Sequence, residues 1–404
     1  MKRHRVAVTG MGVVCPIGSS IAAFDASLRA GRSGVRAISI FDASTLPTRI
    51  AGEAELPEEA PLGDRKIAFA IEAARQALRH AGGVRLGVDA GVSIGVGLEL
   101  FSMDDLVASK REGFTLPVRL EDRLSFMQTP SDLCVHLIAR EHGLRAPPLV
   151  HVSACAAGTD AIGAAYRLVA SGRRRTMIAG GTDSMINPLG VAGFCALSAT
   201  STKNDEPRRA SRPFDKTRDG FVMGEGAAML VLERLEDAEA RGAEVLAEIS
   251  GYGASFDAHG ISEPHPEGRG ALQAMTRAIE DAGLGASDID AVNAHGTGTP
   301  KNDPVETIAL KRLFGERAAA VPICATKSMI GHLISAAGAV EAVAAILGVR
   351  GGYVHPTINL ETPDPECDLD YVPNTLRHHE QRHVLSCSYG FGGHNAAIVV
   401  SRAS

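Results

Sequence analysis

SACAAGTDAIGAAYRLVASG (153–172) and GHLISAAGAVEAVAAILGVRG (331–351) follow one pattern: small residues lead into an Ala/Gly-rich helix. Around them the same order of elements occurs twice. ARQALRHAGGVRLGVDAGVSIGVG (74–97) is matched by MTRAIEDAGLGASDIDAVNAHGTG (275–298), each a helix ending in Ala-Gly, a short loop, a strand and a glycine turn. GEGAAMLVLE (224–233) is matched by GGHNAAIVVS (392–401). Ala/Gly-rich helices recur by chance, so each echo alone is weak. Their shared order implies duplication of one α/β unit. The joint falls between about 235 and 250, which predicts halves of 1–245 and 246–404. Apolar strand runs alternating with helical patterns imply buried sheets under helical layers.

The chain of 404 residues is long enough for two packed units, and its 45% hydrophobic and 22% charged content is globular. A formal charge of −6 argues against nucleic acid or an anionic membrane as partner. No uninterrupted apolar run approaches the about 20 residues a membrane span needs. The start, MKRHRVAVTGMGVV, is basic then apolar, but Thr9, Gly10 and Gly12 break it, so it reads as a first strand rather than a leader. The seven cysteines are scattered and form no CxxC, which fits a reducing cytoplasm and no disulfide or zinc framework. Among the 14 histidines no metal-ligand spacing stands out.

Four segments carry candidate chemistry. Cys155 stands where a strand gives way to a helix, among Ala154, Ala156, Ala157 and Gly158. A helix N-terminus lowers a thiol's pKa and offers free N–H groups to an oxyanion. A buried structural thiol remains the commoner case. In NAHGTGTPKNDPVE, His295 enters a loop of small and hydroxylated residues suited to a narrow channel for an amide-bearing arm; an idle loop histidine is the alternative. In TKSMIGHLISAAGAVEA, Lys327 lies among apolar and small residues, where an unpaired charge is costly, and Glu341 could pair with it. In SYGFGGHNAAIVV, Gly390, Gly392 and Gly393 alternate with Tyr389 and Phe391, a turn able to aim an N–H and present an aromatic gate, or a plain tight turn.

Together these segments, in order and at long spacing, resemble the β-ketoacyl-acyl carrier protein synthases of the chain-elongating Cys-His-His kind. The resemblance runs almost end to end and includes ASRPFDKTRDGFVMGEGAAMLVLE. It implies the α/β thiolase fold, a duplicated five-layer αβαβα arrangement, and a homodimer or a heterodimer with a related ketosynthase or chain-length-factor subunit. It implies Cys155 as nucleophile, His295 and His332 as the histidines that favour decarboxylation of malonyl, and Lys327 with Glu341 as orienting pair. The N–H groups of Cys155 and Phe391 would form the oxyanion hole. Thr297 and Thr299 would touch the phosphopantetheine arm of acyl carrier protein. Phe391, Tyr389, Phe194, Phe101 and Met103 would line or gate the acyl pocket. No metal or other cofactor is required by this chemistry.

His332 sets the chain apart from the priming synthases, which use Cys-His-Asn, and Gly-Phe-Gly-Gly-His stands where thiolases carry their second cysteine. A non-catalytic partner subunit, which typically lacks the nucleophile, and a CoA-dependent thiolase are the competing readings. GVGLELFSMDD replaces the glycine-rich turn usual in fatty-acid enzymes, and Ala156 and Asp160 look closer to polyketide ketosynthases, while GHLISAAGAVE looks closer to the fatty-acid group. Carrier protein is typically acidic, so Arg65, Lys66, Arg173 to Arg175, Lys203, Arg208 and Arg209 are docking candidates.

Overall fold

The computed structural model describes residues 3–56, 64–84, 86–97 and 133–403. Ten strands form its main sheet. The first half contributes β1 (Val6–Val14), β2 (Gly91–Val96), β3 (Leu149–His151), β4 (Thr176–Asp183) and β5 (Gly226–Arg234). The second contributes β6 (Ala247–Phe256), β7 (Ala291–Asn293), β8 (Ile323–Cys324), β9 (His383–Gly390) and β10 (His394–Ser401). The order is β8-β7-β9-β10-β6-β1-β5-β4-β2-β3. Read outward from the β6–β1 junction, the two sides are identical, including which pairs are parallel. The junction is antiparallel, with Ala7 opposite Glu248 and Val8 opposite Ala247. The duplication read from the echoes is thus a duplication of topology.

The helices complete five layers. An outer layer, α1 (Arg65–Ala81) and α2 (Leu133–Glu141), covers one side of the first half-sheet. Its counterpart, α4 (Arg269–Asp281) and α5 (Asn302–Phe314), covers the second. Between the half-sheets lie α3 (Ala157–Ala170) and α6 (Ala337–Gly351), which pack on each other and on strands of both halves. Such central helices must be apolar all round, and every α6 residue from Ala337 to Val349 is buried. The segment Ile334–Gly351 is long and apolar enough to cross a membrane, but 89% of it is buried inside the protein. Helix α1 begins at Asp64, whose side chain accepts the Lys66 N–H, and stops at Gly82, with φ +48°. Layers approach closely where strands carry glycine. A Cβ on Gly10 would lie 2.1 Å from the Ala77 carbonyl oxygen of α1. One on Gly251 would lie 2.1 Å from the Ala278 oxygen of α4, the same contact in the other half.

STKNDEPRRASRPFDKTRDGF (201–221), with both charge signs and two prolines, reads in the sequence as a long surface loop, but it does not lie wholly on the surface. Ser211, Phe214, Asp215 and Phe221 are buried. Phe214 stacks on Tyr371 with centroids 3.8 Å apart, and the Gly220 N–H donates to the Gly298 carbonyl at 3.1 Å. These contacts bind the segment to the Thr297–Thr299 turn. Its mixed charge hid the two phenylalanines that anchor it.

Candidate active site

Cys155 follows β3 in a 3₁₀ turn, Ala154–Ala156, that opens α3. Ala154 has φ +49°, a left-handed conformation that non-glycine residues adopt at a cost. This sharp elbow points the thiol into a cleft of about 70 Å³. His295, following β7, and His332, in the turn before α6, line the same cleft. The Cys155 sulfur and one ring nitrogen from each histidine lie within 4.8 Å of one another. Thr297, Thr299, Phe194, Tyr389 and Phe391 also face it. The two threonine hydroxyls are 2.9 Å apart, and the Phe194 ring lies between those of Phe391 (6.5 Å) and Phe221 (5.4 Å).

The hydrogen bonds assign the protons. The Ile334 N–H donates to His332 Nδ1 at 3.1 Å. Lys327 Nζ stands 3.3 Å from His295 Nδ1, and an ammonium can only donate. Burial, reinforced by the Lys327 charge, holds both imidazoles well below their usual pKa, so they are neutral. With Nδ1 accepting in each ring, the single proton sits on Nε2. The site therefore presents two N–H donors beside the sulfur. The same assignment bears on metals. A Cys-His-His trio is a ligand set by composition. Here both Nε2 atoms carry hydrogen rather than a free lone pair, so the donors do not fit a cation.

Lys327 Nζ is 2.5 Å from Glu341 Oε1, and both side chains are fully buried. Burial pushes the Glu341 carboxyl up to about 7, with Lys327 pulling it back. Breaking such a pair is costly because one charge is left alone in a poor solvent. Two groups that the sequence reading passed over hold the His295 loop. Glu306 accepts the N–H groups of His295 (2.7 Å) and Gly296 (2.8 Å), and Asp303 accepts those of Gly298 (3.1 Å) and Phe214 (2.8 Å). Both lie in NDPVE, directly after the quoted threonines, and acids beside a glycine-rich loop were the available signal.

Several expectations change. The thiol pKa is raised, to about 11, rather than lowered. Burial dominates; Lys327 and the Phe391 N–H act in the opposite direction. Asp160, noted above for its likeness to polyketide ketosynthases, serves the elbow and is not among the residues lining the cleft. Its carboxylate accepts from Ser153 Oγ at 2.5 Å and from the Tyr252 hydroxyl of β6 at 2.7 Å, tying the elbow to the other half. Arg65 and Lys66 are not docking cations. Arg65 binds the buried Glu225 (Nε–Oε2 2.9 Å) and the Ala54 carbonyl, and the Lys66 side chain is 4% exposed beside Asp64 at 2.8 Å. Arg173 to Arg175 precede β4, whereas the cleft opens beyond the opposite ends of the strands, about 25 Å away by strand rise. Arg209 pairs with Glu206 and Glu361. Lys203 is half-buried and Arg208 exposed, both on the segment anchored to the threonine turn. Phe101 and Met103 lie outside the described residues.

A sulfur that can be acylated, next to two N–H donors able to hold an enolate oxygen, on a duplicated αβαβα frame, is the equipment of the thiolase-fold condensing enzymes. Sequence comparison narrows the class. The family description "Beta-ketoacyl synthase, N-terminal domain" matches residues 3–238, and its C-terminal counterpart matches 246–361. The chain belongs to the β-ketoacyl synthase family. It is 42% identical to 3-oxoacyl-[acyl-carrier-protein] synthase 2 of Coxiella burnetii over 100% of this chain and 99% of that one. It is 40% identical, over the same shares, to the tetracenomycin polyketide synthase ketoacyl synthase alpha subunit of Streptomyces glaucescens. Among solved structures it resembles a type II polyketide ketosynthase in complex with its acyl-carrier protein (TM-score 0.90, 32% identity, 99% and 100% coverage). The ishigamide ketosynthase/chain length factor is also similar (TM-score 0.88, 34% identity, 100% of both chains).

Proposed function

We propose that the protein is a chain-elongating β-ketoacyl-acyl carrier protein synthase. Cys155 attacks the thioester of an acyl carrier protein; the carrier thiol leaves and the acyl group stays on sulfur. A malonyl carrier protein then binds with its thioester carbonyl between the Nε2–H donors of His295 and His332. Its carboxylate departs as CO2, and the electron pair left behind is held as an enolate. The enolate carbon attacks the acyl carbonyl on Cys155. The N–H groups of Cys155 and Phe391 hold the resulting oxyanion, which collapses to a β-ketoacyl carrier protein and frees the sulfur. The observation that carries this reading is the pair of buried imidazoles beside a buried cysteine, with the Nδ1 of each facing an N–H donor.

In this reading residues 1–245 supply the nucleophile and 246–404 both histidines. Thr297 and Thr299 contact the pantetheine arm, and Phe194, Tyr389 and Phe391 bound the acyl end. Lys203 and Arg208 meet the acidic carrier. The enzyme works in the cytoplasm without a metal or redox cofactor, as a homodimer or beside a chain-length-factor-like subunit, the assembly named for one structural relative. We favour a polyketide or polyene chain, supported by polyketide relatives of both sequence and structure. The experiment is incubation with malonyl and acyl carrier protein, followed by mass spectrometry. CO2 and a β-ketoacyl product are expected, and Cys155→Ser forms no acyl adduct at that residue. Normal elongation by Cys155→Ser refutes the mechanism. A saturated fatty product on the co-purifying carrier would assign the fatty-acid pathway instead.

A further inference from the structure

The duplication places a second elbow opposite the first. The strand registers equate the halves residue by residue. Asp183, the last residue of β4, pairs with Gly226, and Gly390, the last of β9, pairs with His394. GEGAAMLVLE and GGHNAAIVVS bring Gly226 onto His394, so Asp183 and Gly390 are equivalents. The 3₁₀ turns Ala154–Ala156 and Ile334–Ala336 both open a central helix. Each begins on a left-handed non-glycine residue, Ala154 at φ +49° and Ile334 at φ +46°. Ser335 is therefore the counterpart of Cys155.

The two elbows are served crosswise. Gly390, from the second half, backs the amide of Cys155: a Cβ there would lie 3.2 Å from its nitrogen. Glycine has no side chain to take that N–H, which is left for a reacting oxygen. Asp183, from the first half, does the reverse at Ser335, its Oδ2 accepting the N–H at 2.9 Å. We propose that the Asp183 carboxylate plugs the relic of a second oxyanion hole and, by locking the Ser335 elbow, acts as a positioning residue for the condensation at Cys155.

The locked elbow reaches both reacting groups. Ser335 Oγ donates to the Ala154 carbonyl at 3.3 Å, one residue from the nucleophile. The Ile334 N–H holds His332 Nδ1 at 3.1 Å and so fixes which nitrogen presents a proton. The joint is dry and tight: Asp183 and Ser335 are each 1% exposed, and a Cβ on Gly158 would lie 2.8 Å from the Ser335 carbonyl oxygen. A charged acceptor is well suited to hold a left-handed turn, since charge-assisted hydrogen bonds are roughly twice as strong as neutral ones. The groups facing Asp183 are the Ser335 N–H and hydroxyl, the Lys66 ammonium, the Asp64 carboxylate and the Cys155 thiol. Burial raises its carboxyl to about 6, so it is ionised above that pH, and its charge raises the Cys155 pKa.

This role rests on the function proposed above, but one arm of its test does not. In the full-length protein, the pH profile of Cys155 alkylation by iodoacetamide is measured without any carrier protein. Asp183→Asn keeps an acceptor oxygen and removes the charge, so the profile's midpoint is expected to move to lower pH. Acyl transfer to Cys155 should stay within threefold of wild type. Asp183→Ala should share the shifted midpoint and lose at least tenfold in the transfer kcat, with KM within twofold. Filler packing alone predicts lower stability in Asp183→Ala with its transfer kcat kept, and a full kcat in Asp183→Leu, which fills the space without an acceptor. An unmoved midpoint in Asp183→Asn, or unchanged kcat in Asp183→Ala, overturns the proposal. If Asp183→Ala does not fold, Asp183→Leu, which fills the same space without an acceptor for the Ser335 N–H, serves in its place; an unchanged kcat overturns it equally. A shifted midpoint in a protein that releases no CO2 from malonyl carrier protein would overturn the proposed function, and with it any catalytic meaning of the lock.

Discussion

Replacing Lys327 by Met keeps the length of the side chain and removes its charge. Three consequences follow from its contacts. His295 loses the donor 3.3 Å from Nδ1 that keeps its proton on Nε2, so a second tautomer, with a lone pair facing the cleft, becomes accessible. Removing one oxyanion donor outright costs about 10²- to 10³-fold in rate. The original tautomer remains available, so malonyl decarboxylation should fall by about a hundredfold. Glu341 loses the cation paired with it, Nζ at 2.5 Å. Its carboxyl, held near 7 in the native protein, must rise further. A raised carboxyl stabilises the fold fully below its unfolded pKa, and that stabilisation fades as pH rises through the folded value, by about 1.4 kcal/mol per unit. In the native protein the fading ends near pH 7; in Lys327→Met it continues beyond. The stability gap between the two should therefore widen by about 1.4 kcal/mol per pH unit above 7. CO2 release and urea unfolding at pH 6, 7, 8 and 9 measure the two effects. Decarboxylation within threefold of wild type, or a stability gap independent of pH, would refute the reasoning.

Gly390→Ala introduces a Cβ 2.9 Å from the Ser153 carbonyl oxygen and 3.2 Å from the Cys155 nitrogen. Acylation of Cys155, followed by intact-protein mass spectrometry, should slow by tenfold or more, while decarboxylation at the histidines persists; equal loss of both would count against the separate oxyanion site. Gly10→Ala sets a methyl 2.1 Å from the Ala77 carbonyl oxygen and should destabilise by about 3 kcal/mol, the upper end for overpacking, seen as a fall in Tm without a change in KM.

What the sequence disclosed and what it hid divide along a physical line. Element type and order are local properties. Apolar runs, helical spacing and glycine stops therefore revealed α1, β2, α3 and β5 and their repetition. The candidate site was legible in the same way, since its parts are short, unusual strings such as SACAAG and NAHGTGTP. Arg65 and Lys66 show the limit. A basic pair at a helix start reads as surface charge until Glu225, 160 residues away, is seen to sit under Arg65. The thiol pKa reversed for a similar reason: the helix start was visible, but the closure of β9 and α6 over Cys155, which dries it, was not.

The crosswise contacts are the least legible feature and, on the proposed function, account for a nucleophile at one elbow and none at the other. Symmetry alone would give two equal elbows, each backed by the strand end of the other half. The antiparallel β1–β6 joint brings them together. Two pairs of letters then separate them: glycine at 390 leaves an amide open in front of a cysteine, and aspartate at 183 closes the equivalent amide in front of a serine. An elbow with its N–H already bound to a carboxylate cannot stabilise a second anion, because the donor is spent and the added charge would be repelled. The second half therefore contributes no nucleophile and is free to contribute the two histidines. On the proposed function, asymmetry at a strand end and at the elbow it backs turns a repeated unit into a nucleophile half and a decarboxylating half that meet in one cleft.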